Sequence, residues 1–218
     1  MRIAPLEIAR GVVGGVRGLG RPDAGSRSGR SYAVTLMTPV RRGEEQALAA
    51  HLDGLGGPEQ SPLAKLPHVH FGRWVLIDQL KLEWPGVPAP PPRLESQYLY
   101  FSASVTAPDG GYAADLPESF FRDLAARIPK DADAIWRHCV AYPGISDVDA
   151  FVRYLAGSQI HTSLFYVGYA DVTVDEVRRA VATRKGLIAF ALAHQDVDDP
   201  AALQRAYLEA SRKWFRST

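Results

Sequence analysis

The chain has 218 residues, 46% of them hydrophobic and 22% charged, which excludes a mainly disordered, collagen-like or coiled-coil protein and is enough to bury a core. With 25 basic and 24 acidic side chains the net charge is +1, so neither a basic nucleic-acid surface nor an acidic buffer is indicated. The single cysteine, Cys139, cannot form an internal disulfide or build a cysteine zinc site, which points to a reducing, cytoplasmic setting.

Residues 1–30 hold seven glycines and six arginines but only two acids, and predict a loose basic arm before a folded domain over 31–218. Ser31 to Thr38, closed by Pro39, reads as a buried strand. Leu48, Leu52 and Leu55 place one apolar stripe on a helix within 41–55, stopped by Gly54, Gly56 and Gly57. A second strand spans 69–78, followed by a segment, 83–93, that carries five prolines and is expected to run extended over the surface. The third strand is 96–105. Helices follow at 116–128, 131–140 and 147–157, and then a fourth strand at 161–169. Thr173 and Glu176 form a capping box for a helix whose buried stripe is predicted as Val174, Val177 and Val181. Asp199 and Pro200 open a last helix, with Leu203, Tyr207, Ala210 and Trp214 as its docking stripe. No apolar run reaches the roughly 20 residues that span a bilayer.

This order is β-α-β-β-α-β, a ferredoxin-like α+β arrangement with an antiparallel sheet and extra helices. The sheet face away from the helices then needs a cover, and two such faces stacked together would give an α+β barrel homodimer. Strand alternation puts His68, His70, Gly72 and Trp74 on one side of the second strand and Val69, Phe71, Arg73 and Val75 on the other, predicted to face the core. Tyr98 and Tyr100 join the first group from the third strand and Tyr166 from the fourth, making an open aromatic face suited to a small planar ligand.

His68 and His70 would lie roughly 6 to 7 Å apart on one side of a strand, close enough to chelate an ion; hydrogen bonding at an interface or contact with haem or substrate are the other uses of such a pair. Arg73, among apolar neighbours, needs either a carboxylate partner or an anionic ligand reached through a bulge near Gly72. His138 is either a core or capping histidine or an axial haem ligand presented by a helix. It cannot activate Cys139, because adjacent helical residues point about 100° apart. His51 and His194 read as packing or surface residues. Phosphate-binding glycine loops, nucleophile elbows and zinc-protease motifs are absent. A basic stripe for single-stranded RNA is also missing.

The segments LPHVHFGRWVLID, HCVAYPG and LFYVGY resemble a poorly characterised bacterial family with HFARW-like, HCxGYP-like and FYxG-like motifs. That family is similar to the dimeric α+β barrel class, which includes dye-decolorising peroxidases and chlorite-dismutase-like proteins. The GxxDG signature of the former is not present at Pro108 to Gly111. The resemblance implies a haem-binding oxidoreductase using peroxide or oxygen on a small organic substrate, with His138 as iron ligand and His70 and Arg73 assisting the chemistry; Trp74 and Tyr100, on the open aromatic face, are the candidates to lie beside the cofactor. The alternative expectation is a cofactor-free module that binds a small apolar ligand or a partner subunit on its open face.

Overall fold

The computed structural model describes residues 24–57, 60–79, 93–106, 116–169 and 171–214; the expected arm as far as residue 23 and the proline-rich segment up to residue 92 lie outside them. The chain divides into two compact units, Met1–Asp171 and Val172–Thr218. In the first, short strand β1 (Arg27–Ser28) is followed by β2 (Ser31–Pro39), helix α1 (Glu45–Asp53), β3 (Val69–Gln79), β4 (Arg93–Thr106), α2 (Leu116–Arg127), α3 (Pro129–Trp136) and α4 (Val148–Gly157). The last residues of the expected arm, 24–30, therefore belong to the fold: Ser26 is fully buried, and Arg27 and Ser28 pair with Tyr32 and Ser31.

The architecture is α+β, with an open four-stranded sheet ordered β1-β2-β4-β3. Every pairing is antiparallel, so β2 and β3 run parallel to each other with β4 between them. The register sorts side chains into two faces. One carries the cross-strand rows Tyr32–Val105–Val69, Val34–Ala103–Gly72, Leu36–Phe101–Trp74 and Thr38–Leu99–Leu76. Helices α2, α3 and α4 supply Phe120, Phe121, Leu124, Ile135, Trp136 and Phe151 to the same core. Phe101 sits at its centre, 5.3 Å from the Trp74 ring, 5.9 Å from Trp136 and 6.3 Å from Phe120. Full burial of such side chains is worth about 1.5–3 kcal/mol each, which makes this layer the main source of stability.

The opposite face carries Ala33–Ser104–Phe71, Thr35–Ser102–Arg73, Met37–Tyr100–Val75 and Pro39–Tyr98–Ile77. Here the alternation expected for β3 is reversed: Phe71, Arg73 and Val75 face outward, whereas Trp74 belongs to the core. The cause is a β-bulge. Val69 pairs with Val105, but the next pairing is Phe71 with Ser104, leaving His70 as the extra residue. One inserted residue moves every later side chain to the other face.

The fourth strand expected at 161–169 is also absent. The edge of β2 is already taken, by β1 near Ser31 and by residues 158–160 near Thr35 to Met37, where Met37 N donates to Ser158 O and Ile160 N to Thr35 O. The chain beyond is left without a ladder, and Tyr166 is 84% exposed instead of joining the open face.

The second unit is a hairpin of α5 (Val174–Ala193) and α6 (Pro200–Trp214). The capping box forms, with Glu176 N donating to Thr173 Oγ1 and Thr173 N to Glu176 Oε2. Of the predicted stripe only Val174 is buried, and Val177 and Val181 are exposed. α5 instead meets α6 through Gly186 and Phe190, against Tyr207 and Trp214. A Cβ on Gly186 would come within 2.5 Å of the Trp214 indole nitrogen, so the close approach needs glycine. Among the described residues no helix is long and apolar enough to cross a membrane.

Candidate functional site

Two regions hold the residues singled out from sequence, and the register keeps them apart. His138 lies just past α3, where the chain turns back to the end of β2. Arg41 N donates to His138 O, Val140 N donates to Pro39 O, and Val40 bridges Cys139. Arg73 lies in the row of Thr35, about six residues earlier along that strand and two strands across. Strand geometry puts those positions roughly 15–20 Å apart along the strand and about 10 Å across it. His70 stands further still from the His138 end. Groups that assist chemistry at an iron-bound atom must come within hydrogen-bond reach of it. His138, His70 and Arg73 therefore do not fit one haem site, and Trp74, on the core face, does not share a surface with Tyr100.

In the His138 region several polar side chains pair with one another. His138 Nδ1 lies 2.7 Å from Glu44 Oε2, and this hydrogen bond holds the Glu44 carboxyl below its usual range. Arg137 pairs with Asp133, and the Tyr142 hydroxyl donates to the other Asp133 oxygen at 2.9 Å. The Arg41 side chain caps the Arg137 carbonyl. Beneath them Cys139 Sγ lies 3.3 Å from Thr38 Oγ1, and burial pushes its thiol pKa up, so it stays neutral and unreactive. Ala141 takes φ 60°, the one positive φ of a non-glycine among the described residues. The partnership of Glu44 with His138 spans 94 residues and left no signal in the sequence.

The outward sheet face is built differently. Phe71 is 54% and Val75 39% exposed, and Met37, Tyr98, Tyr100 and Ile77 are partly exposed beside them. Within this apolar field the row Thr35–Ser102–Arg73 is polar throughout. The Arg73 guanidinium lies 5.9 Å from the centre of the Phe71 ring and 5.8 Å from that of Tyr100, held by cation–π attraction. Among the described residues it makes no hydrogen bond or ion pair, so the carboxylate partner expected for a buried Arg73 is neither present nor needed. None of the twelve face positions is acidic.

His68 lines a cavity of about 100 Å³ with Thr106, Phe120 and Asp123, far below the roughly 300 Å³ at which ligand pockets begin. His70 is exposed at the bulge, with its pKa lowered by partial desolvation. No group of three metal-binding side chains occurs among the described residues, so the His68 and His70 pair has no third ligand there. His194 stacks on Phe190 with ring centres 4.1 Å apart and pairs with the Phe190 carbonyl, a packing role.

Comparison of the chain with protein-family models, with curated proteins and with solved structures returned no match.

Proposed function

We propose that the first unit is a ferredoxin-like, cofactor-free binding module whose outward sheet face receives a small apolar ligand. The observation that carries this reading is the apolar and aromatic field of Phe71, Val75, Tyr100 and Met37, displayed on strands whose other side is anchored in the core. Rigid strands fix the spacing of such side chains better than loops do, and a half-exposed aromatic surface gains free energy when a ligand removes it from water. The haem-dependent oxidoreductase reading lacks this support, because its proposed ligand and its proposed assisting groups fall in different regions.

The test is a fluorescence titration with a neutral aromatic probe, naphthalene-2-carboxamide, on the wild-type chain and Val75→Glu, with sedimentation run in parallel. Saturable binding that weakens at least about fivefold in the variant is the expected result, since a carboxylate in an apolar contact must be desolvated. Absence of saturable binding, or binding indifferent to Val75, overturns the reading. A stable dimer that Val75→Glu dissociates overturns it in favour of a second copy as the occupant.

A further inference from the structure

Resting on that reading of the face, we infer that the Thr35–Ser102–Arg73 row is an anion-recognition subsite, and that the ligand it selects is an apolar or aromatic carboxylate. Three observations lead there. Arg73 is a permanent charge without an ion-pair or hydrogen-bond partner among the described residues, whereas Arg122 pairs with Asp149 and Lys65 with Asp131. Its guanidinium is placed near two aromatic rings, 5.8 and 5.9 Å from their centres, which restricts a long side chain that would otherwise lose rotamer freedom on binding. The pairings Thr35 with Ser102 and Ser102 with Arg73 set two hydroxyls in line with that fork on the same face.

The chemistry of the row complements a carboxylate. A guanidinium presents paired N–H donors that match its two oxygens, and hydroxyls can donate to whatever lone pairs remain. The flanking row Met37–Tyr100–Val75 offers the apolar contact for the rest of the molecule. With no acid on the twelve face positions, none of them repels an anion or competes for Arg73. A cationic ligand would meet only Arg73 and find no partner.

Calorimetric titration of the full chain with naphthalene-2-carboxylate and with naphthalene-2-carboxamide tests the inference, using wild type, Arg73→Met and Arg73→Lys, each checked for fold by circular dichroism. The acid should bind wild type about five- to tenfold more tightly than the amide, and Arg73→Met should bring the two within about twofold. Arg73→Lys, which keeps the charge but not the planar fork, should fall between them. Equal affinity for acid and amide in wild type, or a preference that survives in Arg73→Met, overturns the anion subsite while leaving the apolar face intact. Failure of both probes to bind overturns the reading of the face and the subsite with it.

Discussion

The end of β2 and the middle of the outward sheet face both set polar side chains among aromatic rings, but they dispose of them in opposite ways. Around His138 charged and polar groups meet one another: His138 meets Glu44, Asp133 meets Arg137 and Tyr142, and the loop backbone is tied to Pro39 and Arg41. On the sheet face Arg73 meets, among the described residues, only ring faces. A polar group whose partners lie within the chain holds the chain in place; one without them keeps its interaction capacity for a ligand. The first region should therefore respond to mutation through stability, and the second through binding.

The largest expected effect checks which face is which. Phe101→Ala should lower stability in urea by about 3–5 kcal/mol, whereas Phe71→Ala, three rows away on the outward face, should cost less than about 1 kcal/mol. Comparable losses would mean that both faces are covered. Gly72→Val should cost about 1–3 kcal/mol, because a Cβ there would lie 2.6 Å from a Leu63 methyl on the core side. If the alternation ran the other way, the added side chain would enter solvent and the change would be nearly neutral.

In the His138 loop the effects should be smaller and of both signs. Ala141→Gly should stabilise by about 1 kcal/mol, because glycine adopts the observed φ of 60° without the Cβ clash that alanine suffers. Glu44 contributes through protonation. Its folded pKa lies below the unfolded value, so its contribution is complete above the unfolded pKa and disappears as pH falls through the folded one. Between about pH 5 and pH 3, Glu44→Gln should accordingly lose less of its urea midpoint than wild type does. The smallest change is expected at Arg73, where Met substitution should move stability by no more than about 0.5 kcal/mol, despite its effect on carboxylate binding.

Most elements were legible from the sequence because their signals are local. The β2 strand ends at Pro39 as its sequence predicts, α2 covers Leu116–Arg127, and Thr173 with Glu176 caps α5. What failed depended on distant or compensating facts. The β3 alternation reversed because a single bulged residue, His70, breaks a period of two, and both of its faces are apolar enough to pass for the core. The strand at 161–169 failed because β1 and residues 158–160 occupy the edge it would need. Val177 and Val181 form a helical stripe that does pair in spacing, but the contact with α6 is made by Gly186 and Phe190 on another side of α5. For the site, Arg73 and Tyr100 were visible as candidates, but their association was not: it requires the register Val75–Tyr100 and the bulge together.

The measurement that meets the central claim most directly is a chemical-shift titration of the isotope-labelled chain with naphthalene-2-carboxylate. The account predicts saturable shifts centred on Thr35, Met37, residues 71–75 and residues 100–102, with the His138 loop unmoved. Shifts centred on Glu44, His138 and Tyr142, with the sheet face silent, would contradict it and return the search for function to the end of β2.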